Sequence, residues 1–337
     1  MRRFLTPVRL LLAGGALLVI AAAVLWLVPS NDYIFLPDRA RAVAPLVHVP
    51  GSKRQRGPGG IYLVDVLVRR ASLLEQLAPS IRDGSTLVPK SAFESPGENQ
   101  SQREQADLQA MSRSQDIGTA VALRELGYRV RARPIGVLID AVIPGTPAVS
   151  RLRPGDMITA VDGQRVRSQK ELQHRLSGVR PGQTIVLRVQ NGKSVRSETI
   201  RTMAEPRHPK RPFIGVVIEQ AASIDLPVHV TINTGDIGGP SAGLAFALDV
   251  MEELGRNVDR GYKVAATGEL ELNGAVIPVG GVKQTTIGAR QSHVDVLLVP
   301  AGENAATARQ YAGRVKVFAV RSIQQALRRL ATLPQRG

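Results

Sequence analysis

Nineteen consecutive positions, Leu10 to Val28, carry no charge and are mostly apolar, whereas apolar residues elsewhere recur in short periodic groups. At about 1.5 Å per helical residue this run nearly spans a hydrocarbon core of about 30 Å. Arg2, Arg3 and Arg9 precede it and Trp26 lies near its far end. The positive-inside rule then places the N-terminus in the cytoplasm and everything after Pro29 outside. A cleaved signal peptide has a shorter apolar core, about 7 to 15 residues, and a small-x-small site that is missing close after Val28. The expectation is a cytoplasmic tail and uncleaved single-pass anchor over residues 1–30.

Behind it the pattern alternates between periods. Residues 31–60, with Pro37, Pro45, Pro50, Pro58 and a basic Gly-rich tract from Gly51, read as an irregular lead-in. Ile61 to Val68 reads as a buried strand, Ser72 to Leu77 as a short helix and Ser95-Pro96-Gly97 as a break. Leu108, Met111, Val121 and Leu126 recur at helical spacing from Gln100, and Gly127 closes that run. Val137-Leu138-Ile139 and Ile185 to Val189 read as strands, and between them Ser168 with Glu171 forms a capping box for a helix to Leu176. Further strands are expected at Pro212 to Ile218, Val228 to Ile232, in a hairpin-like pair over 264–274, and at Val294 to Val299 and Val315 to Val320. Helices are expected from Ser241 to Leu254, after Gly281, and from Ser322 to Leu330. Strands alternating with helices make the C-terminal part α/β. The predicted domains are 31–130, an N-terminal α/β region; 131–203, a β-rich module; and 204–337, an α/β module.

Composition removes several function classes. With no Cys, thiol catalysis, disulfides and Cys-ligated zinc are excluded, and five scattered His without H-x-x-x-H spacing give no metal site. No cofactor is expected. A formal charge of +16 would suit nucleic acid, but aromatics are 4% and the Arg residues are dispersed. The charge is read as solvated faces, including Lys53, Arg54 and Arg56, and no nucleic-acid partner is expected.

The candidate chemistry lies in Asn233-Thr234-Gly235-Asp236-Ile237-Gly238-Gly239-Pro240-Ser241-Ala242-Gly243. Ser241 falls where a helix begins, so free backbone N–H groups and the positive end of the helix dipole face it. Two readings follow: a nucleophile beside oxyanion donors, or a Ser N-cap in a Gly-rich turn.

Two groups of motifs carry resemblances. Gly145-Thr146-Pro147-Ala148, Leu152-Arg153-Pro154-Gly155-Asp156-Met157-Ile158 and Val161-Asp162-Gly163 resemble a bacterial PDZ domain. That resemblance implies capture of an extended protein or peptide, often a chain end, by strand addition between Val137, Leu138 and Ile139 and the Ser168 to Leu176 helix, with N–H groups near Ile135 and Gly136 holding the carboxylate. Gly239-Pro240-Ser241-Ala242-Gly243, Thr267-Gly268-Glu269 and Pro278-x-Gly280-Gly281 resemble, in order and spacing, the serine-peptidase domain of Lon proteases. The whole is similar to the membrane-anchored PDZ-containing Lon-like proteases of bacteria. The resemblance implies an endopeptidase of the bacterial cell membrane acting on exported or membrane proteins, and relatives of this fold assemble into rings. No G-x-x-x-x-G-K-[ST] occurs in the sequence, so hydrolysis is expected without ATP.

The resemblance also implies a Ser-Lys dyad, with Ser241 as nucleophile, Thr267 near it, and a Lys whose pKa falls from about 10.4 to roughly 7 to 8 in an apolar pocket. Counting from Gly281 and from Thr267 leads to Thr285, which cannot be that base. Lys283 lies two residues earlier, about 200° around a helix and toward its opposite face. Two functions stay open: a serine endopeptidase with Lys283 as substitute base, and a catalytically impaired relative that binds or presents partners through its PDZ groove.

Overall fold

The computed structural model describes residues 7–55, 57–94 and 100–336, except the side chains of 7–10 and 102. Arg2, Arg3, Arg56 and the Ser95-Pro96-Gly97 break lie outside the described residues. Helix α1 covers Pro7–Leu27, and its described side chains, from Leu11 onward, are almost all exposed. Residues 11–27 span about 25 Å at helical rise, short of a core of about 30 Å. Among the described residues no helix is long and apolar enough to cross a membrane.

The principal sheet is built from both ends of the chain. From the N-terminal part come β1 (Pro29–Ala42), β2 (Gly60–Ser72) and β3 (Thr86–Pro89). Next in the chain is the 26-residue helix α2 (Gln100–Glu125). A second sheet then takes β4 (Arg131–Val142) and β5 (Met157–Val161), the helix α3 (Gln169–Ser177), and β6 (Thr184–Asn191), β7 (Ser194–Arg201) and β8 (Val216–Asp225). The chain returns through α4 (Gly243–Glu253), β9 (Lys263–Ala266), α5 (Val282–Gln291), β10 (Val296–Pro300), α6 (Glu303–Tyr311), β11 (Lys316–Val320) and α7 (Ile323–Ala331).

The principal sheet has the order β11-β10-β9-β2-β1-β3. Its C-terminal strands run parallel and β2 joins them in parallel to β9, while β1 pairs antiparallel with β2 and β3. Residues 31–130 are therefore not a separate region, because β9 needs β2 as its neighbour. Nor is 31–60 an irregular lead-in. Pro37 sits inside β1 where the register with β2 shifts, between Pro37 and Ala40, and a bulge tolerates a residue without an N–H. Arg54 is not on a solvated face: it pairs with Asp249 and Glu253 of α4.

Period-two alternation on β2 divides the core. Ile61 and Leu63 face α4 and α7 with Phe246, Leu248 and Leu330, while Val64 faces the other layer with Val282, Ala289 and Ala308. The inserted sheet, order β8-β4-β5-β6-β7, has its own core of Val137, Ile139, Ile158, Leu172, Leu187 and neighbours. The strand expected at 212–218 is observed as β8, and it pairs along its length with β4, so it lies at the edge of the second sheet. The expected 264–274 hairpin resolves into β9 and a separate pair, Glu269–Leu270 with Val276–Ile277.

Candidate active site

Ser241 stands two residues before α4. The helix has Ala242 as its N-cap and no side-chain cap, so the Ser241 hydroxyl is not consumed in capping and the bland reading fails. Backbone bonds hold the residue in place: the Gly268 N–H donates to the Ser241 carbonyl at 2.8 Å, and the Leu244 N–H to the Gly268 carbonyl at 3.3 Å. The Thr267 N–H donates in turn to Leu298 of β10 at 3.0 Å, so Ser241 and Thr267 are registered through the sheet.

Helix α2 braces the same loop from outside. The Gly239 N–H donates to the Asp107 carbonyl at 2.8 Å, and the Ser114 hydroxyl donates to the Pro240 carbonyl at 3.0 Å. A Cβ on Gly238 would lie 2.7 Å from the Asp107 Cβ, so this approach requires glycine. One oxyanion donor expected from this loop is thereby taken. The Gly238 and Ser241 amides remain without a backbone partner among the described residues.

Ser241 and Thr267 share a cavity of about 10 Å³ with Leu63, Asp65, Met111 and Ile237. That is room for about one water and not for a peptide. Neither Thr285 nor Lys283 lines it. Thr285 is buried on the face of α5 that presses on β1 and β2: at Gly281 a Cβ would meet Val66 at 2.9 Å, and at Gly288 the Asp38 carbonyl at 2.0 Å. Positions 281, 285 and 288 share one helix face. Lys283 points elsewhere, as its rotation around the helix predicts. Its ammonium donates to the Ser85 carbonyl at 2.8 Å and to Thr86 Oγ1 at 3.4 Å, and lies 5.5 Å from the Tyr311 ring.

Among the described residues the only titratable group lining the cavity is Asp65, which the sequence reading passed over. Its carboxyl is raised from its ordinary value, chiefly by burial, with Arg41 opposing. One carboxylate inside the otherwise apolar run Ile61–Val68 was the signal that could have found it.

The expected peptide edge is corrected. Val137 pairs with Gln220 on one side and Ile158 on the other, Leu138 with Glu219 and Met157, Ile139 with Ile218, and Gly136 with Ala221. A strand bonded on both sides has no edge to offer. Ile135 falls where the β4–β8 register shifts, and a Cβ on Gly136 would meet Met157, so this segment is not an anion nest. The outer strand is β8, and α3 packs against it. Between the two sheets a cleft of about 220 Å³ is lined by Arg103 and Arg113 of α2, Asp140 of β4, Pro154 and Pro240, which brings the inserted sheet up to the Ser241 loop.

The principal α/β sheet, with its Gly-rich loop at Ser241, is thus interrupted by a five-strand sheet. Residues 208–331 match the Lon protease (S16) C-terminal proteolytic domain and residues 115–202 match the PDZ domain; the chain thus carries both. Lon protease 1 of Sorangium cellulosum is 26% identical over 213 residues, 54% of this chain and 25% of that protein. The Lon protease of Phenylobacterium zucineum is 24% identical over 280 residues, 71% of this chain and 35% of that one. A mitochondrial Lon protease homolog of Ostreococcus lucimarinus is 41% identical over 81 residues, 24% and 8% respectively. The chain thus matches about a third or less of the length of these relatives. Among solved structures, the PDZ domain of an SdrC-like protein from Listeria monocytogenes aligns over 25% of this chain and 87% of that one, at 26% identity and a TM-score of 0.23.

Proposed function

We propose that this chain is a Lon-type serine peptidase of low intrinsic turnover, whose PDZ insert holds protein partners beside a nucleophile that has lost its base. The observation that carries this reading is the Ser241 cavity, which holds Thr267 but no amine, while Lys283 is bonded to Ser85 and Thr86. Ser241 supplies the attacking oxygen, and the Ser241 and Gly238 amides can stabilise an oxyanion once the loop admits a carbonyl. Without a proton acceptor these groups retain a rate enhancement of about 10³ to 10⁴ over water, far short of a working peptidase. The 337 residues contain no phosphate-binding G-x-x-x-x-G-K-[ST], which supports chemistry without ATP. The family match favours a second reading, a full Ser-Lys endopeptidase acting on exported or membrane proteins, and this needs Lys283 to leave its two bonds to the 85–86 turn. A fluorophosphonate probe tests the nucleophile: slow labelling that is absent from Ser241→Ala is expected. Equal labelling of Ser241→Ala would remove Ser241 from the reaction.

We also propose that α1 attaches the chain to the bacterial cell membrane as a single pass, N-terminus in the cytoplasm and the two domains outside. What supports this is a helix with apolar side chains open on every side, such as Leu11, Leu18 and Val19, which no core covers. Protease added to cells stripped of their wall should digest the domains after Pro29. Their protection would reject this topology.

A further inference from the structure

Helix α1 passes into β1 without a linker. It ends at Leu27, β1 begins at Pro29, and between them the Val28 carbonyl accepts the Leu73 N–H at 2.9 Å. The outer end of α1 is thus bonded to a collar that follows β2, made of the short helix Leu73–Leu77 and the single helical turn Pro79–Ile81. This collar is built inside out. Its buried side chain is Glu75, whose carboxylate accepts two bonds from Arg69, at 2.9 and 2.6 Å, one from the Ser72 N–H at 2.9 Å and one from Arg82 Nε at 3.3 Å. Leu77 and Ile81 are left open instead, 72% and 49% exposed. A bonded acid inside with leucine and isoleucine outside is the reverse of what water selects.

Arg82 fixes the level of the collar on α1. Its guanidinium lies 4.9 Å from the centroid of the Trp26 ring, and its two terminal nitrogens have no hydrogen-bond partner among the described residues. The headgroup layer on each side of a bilayer core is about 5 to 7 Å deep. A bilayer that covers α1 as far as Trp26 and Leu27 therefore reaches Arg82 and Ile81, one side chain away, and the two free guanidinium nitrogens suit lipid phosphate. Asp83 follows Arg82 and offsets its charge, so the apolar pair and not net charge carries the contact. The collar is fixed to the peptidase sheet as well. The Ser85 hydroxyl donates to the Pro79 carbonyl at 3.0 Å, and Gln284 of α5 donates to the Gly84 carbonyl at 3.0 Å and to Thr86 Oγ1 at 2.8 Å.

We propose that this collar is a membrane-docking foot: Leu77 and Ile81 enter the outer leaflet beside α1, Arg82 sits at the level of the lipid phosphates, and the peptidase sheet is held on the bilayer at a fixed tilt instead of on a free tether. The inference rests on the reading of α1 as the membrane segment. The same lipid that covers the open side chains of α1 then covers the collar, with no second partner needed.

The chain has no Cys, so a nitroxide can be placed on one introduced Cys at a time. The full chain, labelled in Leu18→Cys, Leu77→Cys, Ile81→Cys or Val195→Cys, is reconstituted into vesicles of phosphatidylcholine and phosphatidylglycerol. Collisions of the label with oxygen, which concentrates in lipid, are compared with collisions with a water-soluble nickel chelate. All four side chains are exposed, so none of these substitutions opens a core. The label at position 18 should favour oxygen strongly, those at 77 and 81 should favour oxygen at a shallower depth, and that at 195, on β7 of the inserted sheet, should favour nickel. Leu77→Asp should shift the label at 81 toward nickel and leave the label at 18 unchanged. Labels at 77 and 81 as open to nickel as the one at 195, with 18 still in lipid, would overturn the foot and leave the anchor standing. Labels at 77 and 81 closed to both reagents would show a second protein surface over the collar and would also overturn the foot. A label at 18 that is open to nickel would overturn the anchor and the foot with it.

Discussion

Glu269 follows Thr267 by two residues, and its carboxyl faces carboxylates of the other domain. Burial is the main cause that raises it to about 7; Glu219 of β8, Asp140 of β4 and Glu271 push the same way, and Arg113 of α2 opposes them. A carboxyl raised in the folded state holds a proton that the unfolded chain has already lost. Its contribution is fully present below the unfolded value of about 4.5 and is lost as pH rises toward 7. Thermal melts at pH 5 and pH 8 check this: Glu269→Gln should gain on wild type by on the order of a few degrees as pH rises. Asp249, also raised to about 7 by burial, adds a slope of the same sign that this variant leaves in place. An identical pH profile in variant and wild type would show that Glu269 is not held at the seam. At this scale the sequence was legible where chemistry is local: Ser241 lies in a contiguous motif, and a count of helix positions was enough to turn Lys283 away. Asp65 was missed because strand alternation, which aims it into the cavity with Leu63, becomes informative only once the register of β2 is known.

Elements were legible where their period was long and uninterrupted. Helix α2 falls within a residue or two of expectation, α5 starts just after Gly281 as expected, and the short helix expected over Ser72 to Leu77 is observed at Leu73–Leu77, opened by a Ser72–Glu75 capping box. β1 was hidden by Pro37, since a proline argues against a strand unless a bulge is known to receive it. For β8 the sequence left open the pairing and not the propensity. The strand was recognised, but its partner β4 lies more than seventy residues earlier in the chain, and no local pattern names a partner. Gly288 gives the clearest case of an element placed by contact. α5 lies so close to β1 that the Asp38 carbonyl occupies the space of a Cβ at that position, and this contact fixes the face on which Thr285 sits.

The whole molecule is a peptidase sheet opened to receive a second domain. The chain leaves the first layer through α2, makes the PDZ sheet, and returns at the Ser241 loop, so α2 touches the inserted sheet across the 220 Å³ cleft and braces Gly239 and Pro240 at once. Domain boundaries read along the chain could not find this, because a sheet interrupted in sequence shows no interruption in its own periodicity. The central claim is that this frame presents a serine without its lysine. Peptide hydrolysis by the purified full chain tests it most directly, in wild type, Lys283→Ala and Thr285→Lys, after each variant is shown to be folded. The account predicts turnover at the edge of detection in wild type, no change in Lys283→Ala, and a gain of at least about tenfold in Thr285→Lys if the buried site lowers the pKa of the new amine. Robust wild-type turnover that disappears in Lys283→Ala would contradict it, by showing that Lys283 leaves Ser85 and serves as the base.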